Sequence, residues 1–332
     1  MKTGRLPESI LCNMAGKGMH PAGKIKELPD GFGIGKDCAA LQAEDEETFV
    51  ITHDLMQTIP ENYMGKMAAY TAADHIAAEG GIPVGITMTA LFPPDTKKHQ
   101  IERVIRQIHG TCASLSMVII EGHTEVTEAV NQPLLSVHGV GKILPQNQRP
   151  GKAKPGQELI VTGAIGLAGT GMIADLKKEE LSRRFPSMFL REAETCLERL
   201  SIEKEAEILS RSDTFRMALG ELGIYGALWE TAEKSGTGLE VEIEKIPIKQ
   251  HTIEICEYFD LNPYQLMSTG AMLIASDQGQ ELVRELQTNG IQAAVIGRTS
   301  DSREKLIYRQ GKAANLEITR NDEFLSLIHI SE

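Results

Sequence analysis

The sequence predicts a two-domain protein of the α+β class, and three observations support this prediction. The chain has 332 residues, which is long for a single domain. Apolar segments rich in β-branched residues alternate with helical segments along both halves. One stretch rich in Pro, Gly and polar residues, 144–157, separates the halves. We therefore predict an N-terminal domain at 1–147 and a C-terminal domain at 148–324.

The N-terminal half predicts four strands and two helices. TFVITHD (48–54) is apolar and β-rich, as expected of a buried strand. Helical spacing of apolar residues follows, and a second helix with a regular apolar face begins after Thr96, a candidate N-cap. In chain order, we predict strands at 48–54, 83–92, 117–122 and 134–143, and helices at 62–78 and 96–115.

The C-terminal half begins with a strand at 158–163 that runs into the glycine-rich turn GAIGLAGTG. Helices are predicted around 188–200, 203–211 and 227–236, the last ending on Gly236 as a C-cap. The segment 271–300 predicts strand, helix and strand, with Asp277 as the N-cap of its helix. We detect no short internal repeat.

Residues 325–332, LSLIHISE, read like one translated frame of a transposase adapter used to prepare DNA libraries. We therefore expect them to be an adapter scar, with the native C-terminus missing, and exclude them from fold reasoning.

Composition and charge limit the classes of function. Hydrophobic residues make up 41% and charged residues 24%, which is ordinary for a globular protein. The net charge of -12 argues against nucleic-acid binding, which needs a basic face. No apolar run is long enough to cross a membrane, and no secretory signal is evident. Five scattered cysteines without CxxC spacing suit reduced thiols, so we expect a cytoplasmic protein.

Seven segments in order carry a resemblance to a known superfamily. They are GIGKDCAA, THD, GKMAAYTAADHIAAEGGIP, EGHTEV, KPGQELIVTGAIGLAGTG, SGTGLEVEIEKIPI and LNPYQLMSTGAMLIA. Their order resembles the aminoimidazole ribonucleotide (AIR) synthase-related superfamily, which includes hydrogenase-maturation dehydratase, selenophosphate synthetase and thiamine-phosphate kinase. The resemblance runs from about Gly33 to about Arg298.

The resemblance implies a two-domain PurM-like fold, with an N-terminal α/β domain that contributes to a dimeric β-barrel and an α+β C-terminal domain. It also implies a homodimer that binds ATP and Mg²⁺ and activates an oxygen by phosphoryl transfer. The substrate would be a small molecule or a protein-borne carboxamide, as in hydrogenase maturation.

The resemblance also implies acidic residues at the metal and phosphate site, and the sequence departs from that pattern. Lys36 stands where the family has the first of two aspartates, while Asp37 and Asp54 are kept. His75 and His123 stand at two further aspartate positions. These exchanges remove negative charge, and imidazole favours Zn²⁺, Mn²⁺, Ni²⁺ or Fe²⁺ over Mg²⁺.

Carried over by position, the resemblance implies two sets of site residues; the catalytic residues stay unknown. The cofactor-binding set is Gly35, Lys36, Asp37, Asp54, Asp74, Gly163, Gly166 and Gly169. The metal-ligating set is Asp37, Asp54, His75, His123 and Glu125, for Mg²⁺ or a transition metal. We expect Asp54 to serve ligand binding rather than folding.

Several alternatives stay open. Lys36 could face solvent, His75 could pack in the core, and the glycine run could serve turns and close packing. The family stretch D-x-T-E-G-G is altered, with Ala218, Gly220 and Leu222 in place of the acid, the threonine and the first glycine. The chain could therefore be an active ATP-dependent enzyme, a degenerate member that binds without turnover, or a purely structural dimer module.

Overall fold

The computed structural model describes residues 26–27, 38–42, 47–57, 59–147, 149–198, 200–317, 323–324 and 327. The chain divides into two compact units, with the division at 149/150. Each unit has one mixed sheet with helices packed against it, so the predicted α+β class is confirmed. None of the helices described is both long and apolar enough to span a bilayer.

The N-terminal unit contains seven strands and two helices among its described residues. In chain order they are β1 (Lys26–Glu27), β2 (Cys38–Gln42), β3 (Thr48–Thr52), β4 (Asp54–Met56), α1 (Glu61–Ala78), β5 (Ile82–Phe92), α2 (Lys98–Ser114), β6 (Val118–Val126) and β7 (Leu134–Ile143). The strand order is β1-β2-β3-β7-β5-β6, with β4 also paired to β7. Only the β5–β6 pair of this sheet is parallel among the described strands.

Strand alternation decides which face of this sheet is covered. In β7 every second residue from Leu135 to Ile143 is buried, and in β5 the same holds from Ile86 to Phe92. α1 packs on this buried face against β3, β4, β5 and β7, and also against α2. Gly65 lets the two helices approach, because a Cβ there would lie 2.4 Å from the carbonyl oxygen of Val104. The buried face therefore holds α1 firmly against the end of β3.

β6 lies at the sheet edge and differs from the predicted strand. It runs to Val126 rather than ending at residue 122, because EGHTEV continues the pairing with β5 through Leu91 and Phe92. Its apolar side chains are unusually open, with Val118 57% and Ile120 51% exposed.

The C-terminal unit contains seven strands and seven α-helices among its described residues. They are β8 (Glu158–Thr162), α3 (Leu167–Leu176), α4 (Lys178–Leu181), α5 (Ser187–Glu194), α6 (Glu203–Leu209), β9 (Phe215–Ala218), α7 (Gly223–Ser235), β10 (Gly238–Glu242), α8 (Gln250–Phe259), β11 (Met272–Ser276), α9 (Gly279–Thr288), β12 (Ala293–Ser300), β13 (Lys305–Arg309) and β14 (Lys312–Asn315). The strand order is β14-β13-β10-β12-β8-β11-β9.

The central strands of this sheet are buried on both faces, as β11 shows at all five positions. Leu159 and Val161 of β8 pack in the cluster that includes Ile224 and Leu228 of α7. Because strand side chains alternate, Ile160 points to the opposite face, and α9 packs against β8 and β12. Trp229 of α7 packs against the cluster that contains Leu159 and Val161, and Lys305 Nζ lies 4.4 Å from the centroid of its ring.

Two predicted caps are wrong. α2 begins at Lys98, not after Thr96, because the backbone N–H of Lys97 donates to the Gln100 side chain (2.9 Å). Asp277 does not cap α9; its carboxylate accepts a hydrogen bond from Gln157 (3.2 Å). The predicted C-cap Gly236 is confirmed, with φ at +69°.

Residues 325–332 lie almost wholly outside the described residues. The exception is Leu327, which is 6% exposed.

Candidate functional site

A buried cluster of three polar side chains lies at the end of β3 in the N-terminal unit. Asp54 Oδ1 lies 3.0 Å from His75 Nδ1, and the two side chains are 9% and 11% exposed. Thr52 Oγ1 donates to Asp54 Oδ2 at 2.9 Å and lies 3.4 Å from His75 Nδ1. We call Thr52, Asp54 and His75 the strand-end cluster.

Local sequence explains how these side chains meet. β3 ends at Thr52 and β4 begins at Asp54, so the two residues lie on the same face by strand alternation. His75 comes from the last turn of α1, which packs on that face. Gly139 of β7 leaves the necessary space, because a Cβ there would lie 2.5 Å from Thr52 Cγ2.

The electrostatics of the cluster favour an ionised Asp54. Burial alone would raise the pKa of Asp54, but the charge of His75 and the hydrogen bonds from His75 and Thr52 outweigh it. The net effect holds the pKa of Asp54 below its usual value of 3.8. Asp54 is therefore a carboxylate whose charge is already stabilised by protein groups.

Two further histidines stand beside the cluster. The rings of His53 and His138 stack with centroids 4.6 Å apart, and His53 Nε2 lies 3.1 Å from Ser136 Oγ. Burial and the neighbouring His53 lower the pKa of His138, while Asp54 partly opposes this shift. Three imidazoles therefore lie near Asp54: His53 from the β3–β4 junction, His138 from β7 and His75 from α1.

His123 and Glu125 form a separate pair on the edge strand β6. Their side chains lie 3.0 Å apart and are 59% and 53% exposed. The structure thus brings the predicted metal ligands together as two pairs, Asp54 with His75 and His123 with Glu125. Within the described residues, no group of three or more His, Cys, Asp or Glu side chains is arranged to hold a metal ion.

Of the remaining predicted residues of the N-terminal half, only Asp74 lies among the described residues. Asp74 lies on α1 with 1% of its surface exposed, and its side chain interacts with other groups of the protein. Gly35, Lys36 and Asp37 lie outside the described residues. Cys38 at the start of β2 is buried in a cluster with Val50, Ile76 and Ile143, as expected of a small apolar residue.

The predicted glycines of the C-terminal unit lie in a turn and helix whose amides donate within the protein. The N–H of Gly163 donates to Gln292 O (2.7 Å), that of Gly166 to Ser268 Oγ (2.8 Å) and that of Gly169 to Met267 O (3.1 Å). A Cβ on Gly169 would lie 2.4 Å from Leu266 Cγ. This geometry favours the turn-and-packing alternative, and the cofactor role of the three glycines stays a prediction.

The altered stretch 218–223 joins β9 to α7. Gly223 has φ at +60°, and a Cβ there would lie 2.6 Å from the carbonyl oxygen of Tyr264. Gly220 O accepts from the N–H groups of Gly223 and Ser268. The backbone geometry therefore requires a glycine at position 223, whereas Ala218 is buried at the end of β9.

A groove of about 880 Å³ lies on the C-terminal unit beside β10, β12 and α9. Its wall carries several charges, but Arg298 pairs with Glu240 (2.9 Å) and Lys245 pairs with Glu242 (2.6 Å). Its other two glutamates, Glu158 and Glu244, accept hydrogen bonds from the backbone N–H groups of Gln280 and Gln310, and the groove contains none of the predicted site residues.

Sequence reasoning missed Thr52, Ser136 and His138. A usable signal existed for Thr52, because it stands two residues before Asp54 in a strand and so shares its face. No comparable signal marked Ser136 or His138, since their contacts with His53 depend on the pairing of β4 with β7.

Two curated relatives named for hydrogenase maturation chemistry are similar to this chain over most of their own length. A protein named as a hydrogenase expression/formation protein from Methanocaldococcus jannaschii is 24% identical over 286 residues, covering 82% of this chain and 83% of the relative. Carbamoyl dehydratase HypE of Rhodobacter capsulatus is 23% identical over 248 residues, covering 72% of this chain and 70% of the relative.

Solved structures agree in fold. The HypE–HypF complex contains a chain that matches with a TM-score of 0.69 and 18% identity, covering 85% of this chain and 93% of that one. HypE in complex with ATP matches with 0.69 and 16%, covering 83% and 87%. AaThiL complexed with AMPPCP and TMP matches with 0.65 and 18%, covering 87% and 91%. The predicted two-domain PurM-like fold is therefore confirmed.

The family of AIR synthase related proteins matches the chain twice. Its N-terminal domain matches residues 35–143 and its C-terminal domain matches residues 154–309. These matches span both units, and the chain belongs to the AIR synthase-related family.

Proposed function

We propose that this protein binds ATP and uses it to activate an oxygen by phosphoryl transfer, on a small molecule or a protein-borne carboxamide. Relatives named for hydrogenase expression and for carbamoyl dehydration support the direction of this proposal, as does the ATP complex of a structural neighbour. The observation that carries it is Asp54, which is buried at the start of β4 and contacts Thr52 and His75.

The proposal assigns different tasks to the groups of this chain. Gly35, Lys36 and Asp37 would lie on the phosphate side, where a lysine can offset phosphate charge. Asp54 would orient His75 at the strand end, and Asp74 would contribute charge from α1. A divalent metal, when bound, would stabilise charge on the transferring phosphoryl group.

The fit of a metal is incomplete among the described residues. Mg²⁺ requires several oxygen ligands in near-octahedral arrangement, whereas the described candidates form two separate pairs. The metal prediction for Asp37, Asp54, His75, His123 and Glu125, with Mg²⁺ or a transition metal, therefore stays a prediction that depends on Asp37.

Calorimetric titration with ATP, run with Mg²⁺, Mn²⁺, Zn²⁺ or EDTA, tests the proposal. We expect saturable binding and a rise in melting temperature, because a ligand present at 100 times its Kd adds about 2.7 kcal/mol to stability. Asp54→Asn should weaken the nucleotide-induced rise. Absence of binding in all four conditions would reject the proposal.

The alternative is a degenerate member that binds nucleotide, metal or a protein partner without turnover. Two observations favour it: His75 and Thr52 already contact both oxygens of Asp54, and Ala218 replaces the first acidic residue of the stretch 218–223. ATP binding without release of phosphate or ADP, measured with candidate carbamoyl and thiamine-phosphate substrates, would support this alternative over the enzyme.

We also propose a homodimer formed through the N-terminal unit. Among the described strands, β6 pairs only with β5, and Val118, Ile120 and Val126 on it are about half exposed. An edge of this length and apolarity invites pairing with another chain. Light scattering at micromolar concentration should give twice the mass of the 36.3 kDa chain. A stable monomer would contradict the proposal.

Two further assignments complete the proposal. The HypE–HypF complex of a structural neighbour makes a protein partner a reasonable candidate, alongside a small-molecule substrate. The four described cysteines are buried thiols outside any disulfide, which suits the cytoplasmic location expected from the sequence.

A further inference from the structure

We infer that His75 takes Asp54 out of metal coordination, so that this protein binds the phosphates of its nucleotide without needing a divalent cation. The inference rests on the proposed function, because it concerns the same nucleotide. It goes beyond that function by stating that the family's metal does not fit the residues described here.

The first step is the state of the Asp54 carboxylate. One oxygen lies 3.0 Å from His75 Nδ1, and the other accepts a hydrogen bond from Thr52 Oγ1 at 2.9 Å. The side chain is only 9% exposed. A carboxylate that bridges to Mg²⁺ must turn at least one oxygen toward the ion. Here each oxygen already has a protein partner, so an ion would have to compete with His75 and Thr52 for the carboxylate.

The second step is the set of neighbours that could complete a metal site. Imidazoles surround Asp54, with His75 in contact and the stacked pair of His53 and His138 beside it. Mg²⁺ prefers oxygen ligands over imidazole. In the described part of the chain, no third carboxylate, thiolate or imidazole joins Asp54 and His75 as a ligand group.

The third step is charge. A divalent ion lets an anionic carboxylate and an anionic phosphate share one site, because it offsets both charges. The strand-end cluster holds one carboxylate where the family pattern would place two, because His75 stands at an aspartate position. An ion therefore has less negative charge to offset at this position.

The test compares ATP binding in EDTA with ATP binding in excess Mg²⁺ by calorimetry, on the full chain. We expect the wild-type Kd to change by less than about threefold between the two conditions, which is under 0.7 kcal/mol. In His75→Asp, the second carboxylate should make binding at least about tenfold tighter in Mg²⁺ than in EDTA. His99→Asn, an exposed substitution on α2, is the control and should behave like the wild type.

His75→Asp places two carboxylates close together and could fail to fold in the absence of metal. His75→Ala covers that case, because it removes the contact between the imidazole and Asp54 without adding a second carboxylate. We expect its Mg²⁺ dependence to exceed that of the wild type by about threefold or more. Melting of His75→Asp with Mg²⁺ alone gives a second readout, since an ion bound at the restored carboxylates should raise its melting temperature.

The outcomes separate the two claims. Wild-type ATP binding that appears only with Mg²⁺ overturns the inference and leaves the proposed function intact. Equal metal dependence in the wild type and His75→Ala also overturns it. No ATP binding with or without Mg²⁺ overturns the proposed function itself.

Discussion

The strand-end cluster of the N-terminal unit buries charged and hydroxyl groups in contact with one another, whereas the turn around Gly169 in the C-terminal unit buries backbone against leucine. Asp54 lies 3.0 Å from His75, but a Cβ on Gly169 would meet Leu266 Cγ at 2.4 Å. Both regions carry residues that the family resemblance marks as cofactor-binding. The buried polar side chains of the N-terminal unit must be explained by their hydrogen bonds and charges, because burying them is otherwise unfavourable. The glycines of the C-terminal unit are explained by turn geometry and close packing alone.

Among the variants that test this comparison, Gly223→Ala is expected to change the free energy of unfolding the most. The residue has φ at +60°, and the new Cβ would lie 2.6 Å from a backbone carbonyl of Tyr264 that cannot easily move. Strain and overpacking together should lower the free energy of unfolding by about 3 kcal/mol or more. Urea unfolding measures this. A loss below about 1 kcal/mol would mean that the 218–223 turn relaxes without penalty.

Gly169→Ala tests the packing role directly. The methyl group would press on the buried Leu266 side chain, so we expect a loss of about 1–3 kcal/mol in the absence of nucleotide. Gly110→Ala in α2 is the matched control, because no atom lies within 4 Å of its Cβ position. It should stabilise the protein by about 0.5–1 kcal/mol. Unchanged stability of Gly169→Ala with weakened ATP binding would instead support the cofactor role.

Asp54→Asn probes the opposite region. From the sequence we expected Asp54 to serve binding rather than folding, but the structure gives it two protein partners. Removing the charge should therefore lower the free energy of unfolding by about 1–2 kcal/mol, measured by denaturant titration at neutral pH. If the variant is as stable as the wild type, Asp54 serves ligand binding and does not stabilise the fold.

The smallest expected effect is on the free energy of unfolding at acidic pH. The pKa of Asp54 is lowered in the folded state, so its contribution is fully present above its usual value of 3.8 and is lost as the pH falls through the folded value. The stability difference between wild type and Asp54→Asn should therefore narrow below about pH 4. A difference that stays constant down to pH 2 or so would contradict the assigned charge pair.

Strands were predictable where alternation was strong. β5 and β7 each bury every second residue, and their predicted ranges differ from the observed ones by at most one residue. The two cap predictions failed because other side chains satisfied the same backbone or polar groups, Gln100 at α2 and Gln157 at Asp277. Propensity identifies residues that can cap, but tertiary neighbours decide which one does.

The candidate site was predictable only in part. Strand and helix spacing placed Asp54 and His75 in the right elements, but not the hydrogen bond between them. That contact depends on how α1 docks on the sheet, which Gly139 permits by leaving space next to Thr52 and Ile76. Single residues on separate elements carry no sequence signal for such docking.

The position of Trp229 has a practical consequence for watching this protein unfold. It is the single tryptophan of the chain, and it packs against the core of the C-terminal unit with Lys305 over its ring. Indole fluorescence should therefore report the melting of that unit alone, whereas circular dichroism sees the helices of both. If the two signals change at different urea concentrations, the units unfold as separate cooperative blocks, and the effect of each variant can be attributed to its own block.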